Sequence, residues 1–508
     1  MNRKLFFILL LSSVLHSQQQ VDIPWPSLAN SPWPMIAHDP QFTGRSPFVG
    51  PKTPTVVWTL DLPYGIFSGP IIGEDGTLFV GTSSYLGFIG DTSNYFYAID
   101  RNGQIKWTYT TETPYSVASG LLVNNEGIIF FGAVNDGWMY ALYSNGELKW
   151  KKNFGSGVLF LINTDLQGNL YITDFDHYLR SITKEGELNW KVNYGGGFGL
   201  SSPTISSDGN TIYIAGKDSN LYALYLDGNI KWSFVCPRTI APLTVDNSGN
   251  IYFFSRRKLI SLDSSGVMNW SYVINDSNAI NYAASPAIDY EGNIYYFYNA
   301  QIGGIHYARI ESLDYYGNYR WTCQFEQPGE LILQPLVVDK NGTVYCGSTW
   351  GYYYYAVSSD GELLWKLPLN EYQVDQTTAI SSDGTLYIGV HKSSTNTSQE
   401  KTLIAIRDTG TVSVEDIKFD ELDYKLFQNF PNPFNPTTKI SWQSPIESWQ
   451  TLKVIDILGR KVTVLVDEHK PAGKFEIEFN AADLPSGVYF YILQAGEFRD
   501  SKKMILLR

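Results

Sequence analysis

Four turns of the form Asp-x-x-Gly, at Asp165, Asp246, Asp289 and Asp339, are where this sequence comes nearest to a metal chemistry. A hard cation such as calcium wants six or more oxygens, and each turn offers one dependable carboxylate. An Asp that caps its own turn, with Gly in the left-handed position, accounts for the same spacing, so no calcium site is expected. The six histidines are scattered without an HxH or HExxH pattern, which leaves no zinc-type motif. There is no Gly-x-Ser-x-Gly elbow for a nucleophilic serine. The run from Gly195 to Gly199 lacks a Walker lysine and leads into a strand, so it reads as a connecting loop. Cys236, Cys323 and Cys346 are far apart, and at most one pair can join within the chain. Paired carboxylates for glycoside cleavage leave no local pattern when distant segments supply them. The Tyr352 to Tyr355 run would stack on sugar rings if exposed, but strand alternation buries half of it, so core packing is expected.

The elements that would position any such group are far more legible. A Gly, three residues, then Trp recurs as Gly103-Trp107, Gly146-Trp150, Gly186-Trp190, Gly228-Trp232, Gly266-Trp270, Gly317-Trp321 and Gly361-Trp365. An eighth, Trp58, stands in PTVVWTLDL without the preceding glycine. Between successive tryptophans lies an apolar strand, a polar turn with Gly, and an aromatic strand, as in SPTISSDGNTIYIAG (202–216). The period of about 40 to 50 residues is that of a propeller blade, a four-stranded meander that gains buried faces only within a ring. The last unit, ending in LIAIRDTGTVSV, lacks a Trp strand, and the Trp58 strand is available to fill it. Eight blades over residues 51–408, closed by Trp58, are therefore predicted; one degenerate unit would make seven. All eight tryptophans are expected to pack between blades.

Composition agrees with an all-β class: aromatics reach 15% and charged residues only 17%. The net charge is −13, and residues 425–508 carry 11 basic against 9 acidic side chains, so the acidity belongs to the earlier part. That field repels phosphate backbones, and nucleic acid is not an expected partner. Arg3 and Lys4 followed by the apolar Leu5 to Leu15 read as a secretory signal over residues 1–17, with a lead-in over 18–50. No later stretch is long and apolar enough for a transmembrane helix.

The phrases YAIDRNGQIKW, YALYSNGELKW and YALYLDGNIKW resemble the repeat of pyrroloquinoline-quinone-type propellers, and WPMIAHDPQFTGRS (33–46) resembles the segment that precedes it. The Thr that usually precedes the motif's Gly is mostly Asn, Asp or Glu here. A quinone dehydrogenase of that kind implies a cofactor over the central channel, a metal beside it and, in many members, adjacent cysteines. This chain has no adjacent cysteines, and neither the quinone nor calcium is expected.

An acidic stretch, 409–424, reads as a linker. Beyond it, residues 425–508 alternate as a small β-sandwich, with strands in LKVIDILG, KFEIEF, GVYFYILQA and KKMILLR. This segment resembles the type A C-terminal sorting domain of the type IX secretion system. The matching positions are Pro431, Asn432, Pro433, Phe434, Asn435 and Pro436, the DILGR turn with Gly459 and Arg460, LPSGVYFY with Gly487, and Lys502 and Lys503 near the end. The resemblance implies handling by the type IX machinery, removal of the module, and release or attachment at the cell surface.

With no assembled catalytic signature, the expected function is a secreted binding or scaffold module for an extracellular protein, peptide or glycan. The alternatives are a quinone-dependent oxidoreductase or a polysaccharide-degrading propeller. Longer insertions near 85–94, 298–309 and 391–401 are the expected contact loops.

Overall fold

The computed structural model describes residues 19–408 and 425–507, apart from 64, 67–68, 84–94, 113–118, 134–136, 156–157, 175, 194–201, 238–241, 282–284, 326–329, 333, 350, 370–371, 375–376, 393–399, 430, 445–447, 471–472 and 497. The secretory signal, the acidic linker, the Gly195 to Gly199 run and most of the insertions near 85–94 and 391–401 thus lie outside the described residues. No helix occurs among the described residues, and the chain divides into two compact units, 1–410 and 411–508.

Among the described residues of the first unit, eight antiparallel sheets of four or five strands follow one another, so the blade count is eight rather than seven; a two-stranded ribbon, Tyr372–Gln373 with His391–Lys392, adjoins the last. Blades 1 to 8 occupy 65–110, 119–153, 158–192, 204–235, 244–273, 279–324, 337–368 and 379–408. The eighth is completed by strand Pro54–Leu62, which pairs antiparallel with Glu400–Asp408 and sets Trp58 opposite Ala405. Opposite every blade tryptophan stands an Ala or Ser: Ala98, Ala141, Ser181, Ala223, Ser261, Ser312, Ala356 and Ala405. A small partner leaves room for the indole to lie flat across the sheet. The core runs between blades: Tyr213 and Leu221 of blade 4 share a buried cluster with Val245, Phe253 and Ile260 of blade 5.

The lead-in is part of this architecture. In a propeller the first strand of each blade faces the axis. Backbone carbonyls of Trp33, Pro34, Pro40, Gln41, Thr43 and Gly44 accept hydrogen bonds from the first strands of blades 1, 2, 4, 5, 6 and 7, through Ile72, Val123, Ile205, Val245, Ile288 and Val338, at 2.8–3.0 Å. Blade 3 joins through Asn163, whose Nδ2 donates to Pro40 O at 2.8 Å. Trp33, Met35, Phe42 and Ser46 are almost wholly buried. The segment therefore winds around the inner strands and fills the end of the axis where the first-to-second-strand turns lie.

The second unit holds two sheets around one core. Thr437–Ser444 pairs with Lys425–Leu426 and Gly473–Asn480, while Ser448–Asp456 lies between Lys461–Lys470 and Gly487–Ala495, which pairs with Phe498–Leu506. Ile440, Trp442, Leu452, Tyr491 and Met504 fill the space between them. Strands Thr437–Ser444 and Lys461–Lys470 have no counterpart in the sequence reading: in the first, apolar positions alternate with Thr, Lys, Ser and Gln, and in the second a short apolar run over 464–466 gives way to Asp, Glu, His and Lys.

Candidate functional site

Each half-buried tryptophan does the same two things. Its ring lies 5.8–6.1 Å from an aromatic ring of its own blade, such as Tyr213 for Trp232 or Tyr387 for Trp58. Its Nε1 donates to a carbonyl of the following blade: Trp58 to Arg101, Trp107 to Ser144, Trp150 to Lys184 and Trp190 to Leu226. Likewise Trp232 bonds Ser264, Trp270 bonds Tyr315 and Trp321 bonds Ser359. The acceptor lies two residues before the repeat's turn glycine. Those glycines sit at φ between +81° and +89°, and a Cβ there would come within 2.6–3.1 Å of the indole of the preceding blade. Gly is thus required twice over, for its left-handed backbone and for the ring's approach. Trp365 has no such turn ahead of it and donates to Pro51 O at 2.9 Å, just before the Trp58 strand.

The four Asp turns are occupied by their own donors. Asp165 accepts from the backbone N–H of Gln167 and Asn169, from Asn169 Nδ2 and from the Tyr171 hydroxyl, all at 2.8–2.9 Å. Asp246 and Asp289 repeat this with Asn250 and Tyr252, and with Asn293 and Tyr295. Asp339 accepts from Asn341, Thr343, Tyr345 and the Gly50 N–H of the lead-in. The turn reading explains all of these contacts within the turns, and Asp339 adds one from the lead-in. The predictive signal was Asn or Thr four residues on and Tyr six residues on.

Blade 6 departs from the repeat. Its second and third strands, Ile294–Ile302 and Ile305–Leu313, form a hairpin longer than in its neighbours, ending at Gly303-Gly304 with Ile302 and Ile305 exposed. At its base a cleft of about 530 Å³ opens against blade 5. Glu311, only 4% exposed, lines it where the corresponding residue is Tyr97, Tyr140, Tyr222 or Tyr355 in other blades. Its carboxylate accepts from the hydroxyls of Tyr296, Tyr298 (3.5 Å) and Thr322 (2.9 Å). Burial, and then the neighbouring Glu311 carboxylate, raise the Tyr272 hydroxyl of blade 5 above the ordinary phenol range, and burial pushes Tyr298 up to about 12. These phenols therefore stay protonated at physiological pH. Arg309 pairs with Asp276 and holds Gln324 Oε1 at 2.7 and 2.9 Å.

A second buried carboxyl, Glu330, precedes blade 7 and is fully buried. Tyr355 donates to Oε1, while Oε2 and the nearby Ser348 Oγ have no partner among the described residues. A Cβ on Gly351 would meet Glu330 Cγ at 2.3 Å and Ser348 Oγ at 2.5 Å, so only glycine admits the carboxyl there. Burial raises its pKa to about 6, with Tyr355 and Lys366 pulling downward. In the Tyr352 to Tyr355 run, Tyr354 and Tyr355 are buried and the other two half-buried. Sequence reasoning passed over both Glu311 and Glu330; for Glu311 the signal was a lone acid in a position held by Tyr in four blades and by Arg180, Ile260 and Ile404 in the other three.

In the second unit the proline-rich motif is built onto the last strand. Phe434, 2% exposed, exchanges backbone hydrogen bonds with Ile505 and Leu507 at 3.0 Å. Asn432 accepts from Ile505 N–H at 2.9 Å and donates to Lys503 O at 3.3 Å. Pro431 O accepts from Thr438 Oγ1 and Asn429 Nδ2, and Pro436 O from Ala481 N–H, while Pro433 and Asn435 flank Phe434. Asp456 clamps the turn containing Gly459 (φ +77°) and Arg460, leaving Ile457 and Leu458 about 70% exposed. Gly487 pairs with Leu506, and Lys502 and Lys503 lie opposite Tyr491 and Phe490.

Against this geometry, residues 428–507 match the family model described as the secretion system C-terminal sorting domain. Residues 135–301 match the quinone-type repeat model described as outer membrane protein assembly factor BamB. A β-propeller that carries quinone-type repeats over 135–301 is thus followed by a type IX sorting domain at 428–507. That domain marks it for export to the cell surface or the extracellular space. Among solved structures, the quinohemoprotein alcohol dehydrogenase of Comamonas testosteroni is 15% identical, with 77% of this chain and 82% of that one covered and a TM-score of 0.59. BamB of Moraxella catarrhalis is 12% identical, covering 70% and 99%, at 0.52. The quinohemoprotein alcohol dehydrogenase ADHIIG of Pseudomonas putida HK5 is 13% identical, covering 77% and 84%, at 0.56. No curated protein matches the chain. At these identities the likeness is one of fold.

At the end of the axis that the lead-in lines, polar groups of the inner strands are taken up within the protein, so no described residue there is assigned to a quinone or its metal. Near the axis, Asn163, Thr204 and Thr244 each donate to the next blade, at Pro203, Leu243 and Pro286 O, and the lead-in fills the space between them. Among the described residues no three His, Cys, Asp or Glu side chains converge to hold a metal ion. Cys236, Cys323 and Cys346 are buried in separate strands or connections, and none is joined in a disulfide. No step is derived through such a group.

Proposed function

We propose that the exported propeller is a non-catalytic binding module, cut from its sorting domain after export, that meets an extracellular protein, peptide or glycan through the blade 6 hairpin and the cleft beneath it. One observation carries the reading. The cleft's ionisable groups are already paired with one another, Glu311 with hydroxyls and Asp276 with Arg309, so none stands ready as nucleophile or proton carrier. In a protein of repeats, the place that breaks the repeat is also where selection has acted on something other than closure.

The test is to incubate the purified chain with extracellular polymers and proteins from the producing cells, then score retention and turnover separately. Retention without new products, reduced when Ile302 and Ile305 are both changed to Ser, is the expected outcome. Release of products, or dye reduction after addition of quinone and calcium, would replace this reading with an enzymatic one.

A further inference from the structure

Resting on the blade 6 reading, we propose that the cleft between blades 5 and 6 binds an uncharged sugar unit of a glycan. Three features of its wall select that chemistry. First, among the described residues no aliphatic side chain lines it, so it offers nothing to a peptide's Leu or Val anchor or to an acyl chain. Second, its charges are satisfied internally: Asp276 by Arg309, and Glu311 by Tyr296, Tyr298 and Thr322. A charged ligand would meet no unpaired countercharge and would lose its hydration without return. Third, the remaining wall is phenol rings and small polar groups. Tyr319, 54% exposed, and Tyr272 offer ring faces, while Asn275 and Ser277 add an amide and a hydroxyl. A pyranose carries the matching pattern, with C–H faces that pack on aromatic rings and equatorial hydroxyls that bond amides and phenols.

The wall is also held in advance of any ligand. Arg309 is fixed by Asp276 and Gln324, and Glu311 anchors Tyr298 from behind, so little side-chain entropy is lost on binding.

The full chain is presented to an array of neutral oligosaccharides and, in parallel, to an array of peptides, and retained glycans are titrated by calorimetry. Tyr319→Ala and Asn275→Ala both alter the cleft's mouth, with circular dichroism to confirm the fold. The expected result is retention of one neutral glycan class, weakened ~2- to 10-fold by Tyr319→Ala through loss of ring packing. Retention indifferent to both substitutions, or no glycan retained, overturns the proposal. Peptides retained in a Tyr319-dependent way overturn the sugar assignment while leaving the blade 6 contact surface intact. Silence on both arrays, with no retention of extracellular material, removes both.

Discussion

Glu330 is the residue at which physical cost is most concentrated. Its carboxyl is buried, one oxygen has no partner among the described residues, and burial lifts its pKa to about 6 against the pull of the Tyr355 hydroxyl and Lys366; the Cys346 thiol is another titratable neighbour. A carboxyl whose folded pKa is raised contributes its full stability below the ordinary carboxylate value and loses it as pH rises through the folded one. Between pH 4.5 and 7.5 the group therefore costs roughly 2 kcal/mol, the equivalent of about one and a half pKa units. Glu330→Gln keeps an acceptor for Tyr355 and supplies an amide to Ser348. Its denaturant midpoint should match the native chain near pH 4.5 and exceed it at pH 7.5. A parallel pH dependence in both proteins would show that the ionisation is compensated elsewhere.

Among the elements, the Gly and Trp pair sets the junction between neighbouring blades. Gly266→Ala forces a Cβ into a left-handed backbone at φ +86° and to 2.9 Å from the Trp232 ring. A loss of about 1–3 kcal/mol is expected by urea unfolding. Trp232→Phe, which keeps a ring but gives up the bond to Ser264 O, should cost less, about 1 kcal/mol. In the sorting domain, Phe434 packs against Phe479 while its backbone joins the last strand. Phe434→Ala should remove about 3–5 kcal/mol from that domain and leave the chain in the periplasm, read by cell fractionation. These junctions were legible in the sequence because each is a local pattern copied many times. The cleft was legible only as a longer loop near 298–309. Glu311 meets Tyr272 and Tyr296 through folding alone, and a single unrepeated acid gives no period to read. The lead-in was legible as a motif but not as an axial filler, since its partners are backbone groups on six blades and the Asn163 side chain on a seventh.

Closure is a property of the whole ring, and it depends on residues at opposite ends of the first unit. Strand Pro54–Leu62 completes blade 8, Asp408 accepts from the N–H groups of Lys52 and Thr53 at 3.1 and 2.6 Å, and Trp365 seals blade 7 against Pro51. Upstream, residues 33–46 tie the inner strands of seven blades to one another, with Arg45 buried over Tyr290 and bonded to Val21 O at 2.9 Å. Each blade thus shares contacts with both neighbours and, apart from the eighth, with a common axial segment, so the first unit should unfold in one transition rather than blade by blade. Removing residues 19–62 would leave blade 8 with an unpaired edge at Glu400–Asp408 and bare the inner strands together. Such an edge is a template for pairing with another chain. The shortened protein should therefore elute as aggregates by light scattering and lose the single calorimetric peak. Supplying 19–62 as a separate peptide during refolding should restore monomer, because what was lost is a strand and an axial thread that need not be covalently attached to be bound. A shortened chain that stays monomeric and melts as sharply as the whole would mean that packing between blades suffices to close the ring.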